Sequence, residues 1–310
     1  MKILKKWFLG FLSFILLFLA ATFIFHRISL EKEQASLTPM GQQVLIDGHQ
    51  MNVYVEGDGP ETIVVLSGAG IASPILDFKE VSESLSKRYK VVIVERAGYG
   101  YSDDSNHSRD VMEVLSETRQ ALSQANVKGP FIILSHSMAS LESLAWQEKY
   151  PDEVKTLVGL DWALPASYEN LKQNQALITV AFWSSKIGLL RYFPESFYIK
   201  NSTLIESERK QYKLLAYKQL MSQAMLHESQ AVKENAKKVP SNINPKIPTL
   251  LLVSNGQGTS FSQSEWQHFA EEFASEQSNV KVIYMDVPHD LYHYQNHEVV
   301  SRIEDFLKSN

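Results

Sequence analysis

The stretch Phe131-Ile132-Ile133-Leu134-Ser135-His136-Ser137-Met138-Ala139-Ser140 constrains the fold more than any other part of this chain. Four apolar residues, two of them β-branched, read as a short buried strand. Small residues then alternate with His136 and Met138, and the apolar positions Leu141, Leu144, Ala145 and Trp146 take up helical spacing. A strand that turns this sharply into a helix puts Ser137 at the tip of the turn. Its flanking residues must be small, because a larger side chain would strike the neighbouring backbone. The helix N-terminus then points at whatever Ser137 meets. The usual form of such an elbow has glycine on both flanks, and here Ser135 and Ala139 stand in those places. An ordinary serine-rich helix cap has the same local spelling, so the surroundings decide.

Those surroundings alternate strand with helix. Residues 44–46 and 51–55, joined through Asp47-Gly48, spell a hairpin with a turn signal. Residues 62–66 are a fully apolar strand ending in Ser67-Gly68-Ala69-Gly70. Residues 90–94 form a second such strand, ending in Glu95-Arg96-Ala97-Gly98-Tyr99-Gly100-Tyr101-Ser102. Helical patterns at 78–85 and 111–122 separate these strands from the Ser137 strand. Residues 154–160, 249–253 and 280–284 continue the series. Short apolar strands at this spacing imply a mostly parallel sheet covered by helices on both faces, opened by an antiparallel hairpin. From 165 to 240 strand patterns vanish, 206–226 is helical, and aromatic residues gather: Phe182, Trp183, Tyr192, Phe193, Phe197 and Tyr198. This reads as a helical cap inserted over the C-terminal edge of the sheet, where ligands bind in such folds, and its composition suits the lining of an apolar pocket. Trp162 and the cap aromatics themselves read as packing before substrate contacts.

The N-terminus is of another kind. Residues 7–25 carry no charge and follow Lys2, Lys5 and Lys6. At about 1.5 Å per helical residue the run approaches the ~30 Å hydrocarbon thickness of a bilayer, and the preceding lysines favour a cytoplasmic N-terminus. The reading is a single-pass signal-anchor with the rest of the chain outside the cell membrane. A signal peptide cleaved near Ala20-Ala21 is the alternative. The expected organisation is an anchor at 1–27, an irregular polar tether at 28–41, core at 42–164, cap at 165–240 and core again at 241–310. Beyond residue 27 the chain holds 26 basic and 35 acidic residues. Such an acidic body gives no electrostatic support for nucleic-acid binding. With no cysteine, neither a disulfide framework nor a thiolate nucleophile or metal site is available.

Taken in register, these motifs resemble the α/β-hydrolase superfamily over residues 42–308. Ser67-Gly68-Ala69-Gly70 stands where that family has its oxyanion loop. Residues 95–102 look like its Asp-Arg-x-Gly-x-Gly-x-Ser segment, residues 135–139 match its nucleophile elbow, and Val287-Pro288-His289 follows the last strand, where the family keeps its catalytic histidine. The resemblance implies Ser137 as nucleophile, His289 as its base, and the backbone N–H groups of Ala69 and Met138 as oxyanion donors. It implies a serine hydrolase acting without cofactor on an ester or similar acyl bond of a small-molecule or lipid-like substrate. Peptidase and acyltransferase chemistry use the same groups.

The family usually carries the acid after the strand at 249–253, and here that loop reads Ser254-Asn255-Gly256-Gln257-Gly258-Thr259, with no carboxylate. Asp161, at the end of the preceding strand, is the first candidate, with Glu265 and Asp286 behind it. A site without any acid also stays open, and with it a catalytically silent binding protein on the same fold. His289, His293 and His297 recur every four residues and would share one face of a helix, but no further ligand accompanies them and no metal is expected.

Overall fold

The structure, a computed structural model, describes residues 2–194, 203–275 and 277–310. Its strands are β1 (Gln42–Ile46), β2 (His49–Glu56), β3 (Thr62–Leu66), β4 (Lys90–Glu95), β5 (Phe131–His136), β6 (Val154–Leu160), β7 (Thr249–Val253) and β8 (Val280–Tyr284). They form one eight-stranded sheet in the order β1-β2-β4-β3-β5-β6-β7-β8. From β4 through β8 the neighbours run parallel, while β1 and β2 are antiparallel to their partners. The hairpin turn has both Asp47 and Gly48 at positive φ, 47° and 88°, as a two-residue turn between twisted strands requires.

Side chains alternate across a strand, so a sheet covered on both faces needs apolar residues at every position. β3 shows it. Val64 and Leu66 belong to a cluster with Leu144, Trp146, Val111 and Leu115, while Ile63 and Val65 join Phe78, Leu85, Ile303 and Phe306 on the other side. Burying each such side chain contributes about 1.5–3 kcal/mol, which anchors the strand ends and the loops that leave them. The helix Ser140–Lys149 follows β5 and backs the elbow from the first face.

Between β6 and β7 lie the helices Pro165–Asn170, Gln175–Ile187, Glu206–Gln219 and Gln223–Lys238. The helix expected over 206–226 is in fact two. Met221 takes a left-handed φ of 58°, and Ser222 caps the second helix by accepting a hydrogen bond from the Met225 N–H at 3.1 Å. The aromatic residues of this region are divided between core and surface. Phe182 is buried, but Trp183, Tyr192 and Phe193 are 58%, 53% and 67% exposed, so they line no enclosed pocket. Phe197 and Tyr198 lie outside the described residues.

The N-terminal helix runs Lys2–Gln34 and is long and apolar enough to cross a membrane. It passes through 28–34, which the sequence reading gave to an irregular tether. The residues there, Ile28-Ser29-Leu30-Glu31-Lys32-Glu33-Gln34, include good helix formers, and the turn they form is held to the helices before β7. Arg191 donates to both Glu33 carboxylate oxygens at 2.7 Å and to His26 Nδ1 at 2.7 Å. The helix is thus docked rather than loosely linked.

Candidate active site

β5 delivers Ser137 to the C-terminal edge of the sheet. There the residue adopts φ 53°, a strained conformation for a non-glycine residue and the one a sharp strand-to-helix turn demands. The elbow accommodates Ser135 in place of glycine because its hydroxyl has partners on the core side. Ser143 Oγ and the Trp162 indole N–H donate to it at 2.7 and 2.8 Å. Trp162 is buried and braces the turn, in keeping with a packing role. On the other flank, a Cβ built on Gly68 would fall 2.7 Å from His136 Nδ1 and 3.0 Å from Ser137 Cβ. Only glycine lets the loop after β3 approach this closely.

Three of the sequence-chosen residues meet in a hydrogen-bonded chain. His289 Nε2 lies 2.8 Å from Ser137 Oγ, and His289 Nδ1 lies 2.5 Å from Asp161 Oδ2. An ionised carboxylate only accepts, so Nδ1 carries the proton and Nε2 is left to accept from the serine hydroxyl. Asp161 is fully buried and sits just beyond β6 at φ 49°. Its Oδ1 accepts from the Ser254 N–H at 2.7 Å and the Trp266 indole N–H at 2.8 Å. Its Oδ2 accepts from Ser254 Oγ at 2.6 Å. A buried carboxylate is costly without such donors, and these also fix which oxygen faces the imidazole.

The loop after β7 therefore has a different task from the one its position suggests. Ser254 donates twice to Asp161, and the Gln257 carbonyl accepts the His289 N–H at 2.8 Å. Gly258, at φ 98°, leaves 3.3 Å between a would-be Cβ and His289 Cβ. Of the alternative acids, Glu265 accepts from Ser262 at the N-terminus of its own helix, and Asp286 accepts from Asn255 Nδ2 at 3.0 Å. Sequence reading missed Ser254 and Trp266 altogether. The only signal for Ser254 was its hydroxyl at the end of the neighbouring strand, and Trp266 had none.

The imidazole is enclosed by rings. Trp266 meets His289 edge-on at 5.6 Å, and the His136 ring lies 4.7 Å away. His136 is pushed well below its ordinary pKa by burial, with His289 beside it adding to the effect, so it is neutral. Its Nε2 lies 3.3 Å from the His289 carbonyl, which can only accept, so His136 steadies the segment that carries His289. Among the expected oxyanion donors, Met138 follows Ser137 at the elbow and Ala69 follows Gly68. Arg96 Nη2 donates to the Gly68 carbonyl at 3.2 Å. In a trans peptide the following N–H points the opposite way, so the Ala69 N–H faces away from Arg96.

His293 and His297 do not share a ligand position with His289. The backbone breaks at Gln295 between the helices Leu291–Tyr294 and Asn296–Ser309, and His293 instead pairs with Asp77 at 3.3 Å. Among the described residues the group that does converge is His49, His107 and Glu117, with ligand atoms within 4.8 Å of one another. There Arg109 donates to both Glu117 oxygens, at 3.2 and 2.8 Å, and already supplies the cation.

Known proteins agree with this architecture. Residues 62–187 match the family model of the alpha/beta hydrolase fold. The Bacillus subtilis protein YbdG, of uncharacterised function, is 33% identical over 99% of this chain and 98% of its own length. An esterase from Exiguobacterium antarcticum superposes with TM-score 0.66 at 18% identity, covering 87% of this chain and 100% of that one. A membrane phospholipase A, described as a bacterial virulence factor, superposes with TM-score 0.62 at 15% identity over 98% of both chains. The matched model, the full-length relative and the shared fold together place this chain in the α/β-hydrolase superfamily.

Proposed function

We propose that this hydrolase-fold protein is a membrane-anchored serine ester hydrolase, with 42–164 and 241–310 as its catalytic core and 165–240 as a cap. The observation that carries the reading is the chain Ser137–His289–Asp161, with contacts of 2.8 and 2.5 Å. Serine is a poor nucleophile until a base takes its proton. His289 Nε2 accepts the Ser137 proton as Oγ attacks the acyl carbonyl, and Asp161 stabilises the imidazolium that forms. The tetrahedral oxyanion takes the Ala69 and Met138 N–H groups, and stabilising charge as it develops is worth ~10²–10³-fold per donor. Collapse releases the alcohol with the proton from His289 and leaves an acyl group on Ser137. Water, deprotonated by His289, then frees the acid.

The donors around Asp161 speak for that residue as the acid, since a carboxylate with a merely structural task would not need its second oxygen turned to the imidazole. Lys2, Lys5 and Lys6 ahead of the apolar run favour a catalytic domain outside the cytoplasm. The burial of Thr22 and His26 against the rest of the chain favours retention of the helix over its cleavage. The test is turnover of an activated acyl ester by membrane-bound full-length protein. Ser137→Ala should abolish it in a protein that stays folded and stays with the membrane. Full turnover by Ser137→Ala would remove the serine mechanism.

A further inference from the structure

The helix Gln175–Ile187 carries no charged residue before Lys186, and its outward side is largely apolar, with the exposed Thr179 hydroxyl taken up by the Gln175 carbonyl. Leu177, Val180 and Trp183, spaced three apart, are 65%, 61% and 58% exposed, and Tyr192 and Phe193 in the turn that follows are exposed too. A helix facing water on one side normally turns charged or polar residues outward. A contiguous apolar patch of this kind marks a contact surface.

The N-terminal helix indicates what covers it. Phe18 stacks on Tyr192 with ring centroids 5.8 Å apart, and Thr22 Oγ1 lies 3.1 Å from the Tyr192 hydroxyl. Phe25 ends the uncharged run. Phe18 comes seven positions earlier, about 10 Å along the axis at about 1.5 Å per residue. If residues 7–25 occupy the hydrocarbon layer, a side chain stacked on Phe18 lies inside that layer too. Tyr192 and the helix before it cannot then stand in bulk water. Tryptophan and tyrosine beside a spanning segment suit the membrane–water boundary, where an apolar ring and a polar tip are both satisfied.

We propose that Gln175–Ile187 and the turn through Phe193 form a second membrane-contacting element, seated in the outer leaflet of the bilayer that the N-terminal helix crosses. The occupant of the patch is phospholipid. This rests on the anchor reading above and adds an orientation to it. The cap lies on the membrane rather than away from it, so an acyl substrate dissolved in the leaflet meets the cap first.

The absence of cysteine makes the test clean, since each introduced thiol is unique. Full-length protein with Leu177→Cys, Trp183→Cys, Phe14→Cys or Lys128→Cys would each be labelled with an environment-sensitive fluorophore. The labelled proteins are reconstituted in phosphatidylcholine–phosphatidylglycerol vesicles with and without brominated acyl chains. Phe14 reports the spanning helix, and Lys128, exposed just before β5 at the opposite sheet edge, reports water. Labels at 177 and 183 should shift to the blue and be quenched by brominated lipid as the label at 14 is, while the label at 128 is not. Quenching at 14 with unquenched, unshifted labels at 177 and 183 would overturn the proposal and leave the anchor standing. A blue shift at 177 and 183 without quenching means that protein, such as a second copy of this chain, covers the patch, and also overturns it. No quenching at 14 removes the anchor reading, and this proposal with it.

Discussion

Two adjacent strand ends meet at one histidine and bring different groups to it. Just beyond β6 stands Asp161, a buried carboxylate. β7 ends in Ser254-Asn255-Gly256-Gln257-Gly258, which offers donors, a carbonyl and conformational freedom but no charge. Both loops converge on His289, one through its imidazole and the other through its backbone. The difference teaches that the carboxylate facing the His289 imidazole can stand at one strand end while the next strand end supplies its hydrogen-bond donors. The loop after β7, which has no carboxylate, is a cradle for that of Asp161.

The largest effect should separate the two strand ends. Asp161→Asn offers the imidazole an amide and favours the wrong tautomer, a change that costs ~10⁴-fold in the well-studied serine triad, or about 5.5 kcal/mol of barrier. Gln257→Ala, which keeps the carbonyl that holds His289, should cost less than about threefold, since a surface side chain away from packing rarely matters beyond ±0.5 kcal/mol. Turnover of one activated ester by both variants decides it. Equal losses would dissolve the distinction between the loops.

A third strand end sharpens the comparison. Glu95, at the end of β4, is as buried as Asp161 but accepts from Asn52 Nδ2, the Tyr101 N–H and, at a long 3.4 Å, the Ile75 N–H. Burial pushes its pKa up from 4.5 to about 7, against the pull of those hydrogen bonds. A folded-state pKa above the unfolded one contributes stability that is present below about pH 4.5 and lost as pH rises through about 7. Glu95→Gln should remove that loss. The variant should gain on the wild type between pH 4.5 and 7 by on the order of 3 kcal/mol, at ~1.4 kcal/mol per pKa unit. Urea unfolding at several pH values reads it, and a constant difference across that range would contradict the assignment.

Smaller effects should come from the cradle. Ser254→Ala removes one charge-assisted hydrogen bond to Asp161 and keeps the N–H. Such bonds are worth about 1.5–3 kcal/mol, so turnover should fall by roughly ten- to hundredfold with substrate affinity little changed. Smallest is Gly258→Ala. A Cβ at φ 98° is strained and meets His289 Cβ at 3.3 Å, and left-handed backbone costs about 1–2 kcal/mol for a residue with a side chain. Thermal unfolding should show a loss of that order.

The sheet was legible because β3, β4 and β5 are buried on both faces, and a strand in that position must spell an unbroken apolar run. Ser137 was legible for a similar reason, since a tight turn restricts its neighbours to small residues. Asp161 was reachable only through the resemblance to the family, whose usual acid loop holds no carboxylate here. Its partners were not. Trp266 stands 105 positions away, and nothing local in its helix distinguishes an indole aimed at a carboxylate from one packed in a core. Ser254 acquires meaning only once β6 and β7 are neighbours. The 28–34 segment was misread because its helix is held by Arg191, a contact 158 positions distant, and polar composition alone resembles a linker. The aromatics between 165 and 240 stayed undecided between packing and a pocket lining, because composition does not say which way a ring faces.

The most direct test of the central claim is a fluorophosphonate probe followed by peptide mass spectrometry on the full-length protein. Such a reagent phosphonylates a serine only where a base removes its proton. One adduct is expected, on the peptide that contains Ser137, formed rapidly by the wild type and far more slowly by Asp161→Asn. Folded wild-type protein that takes up no probe, or an adduct on another serine, would contradict it.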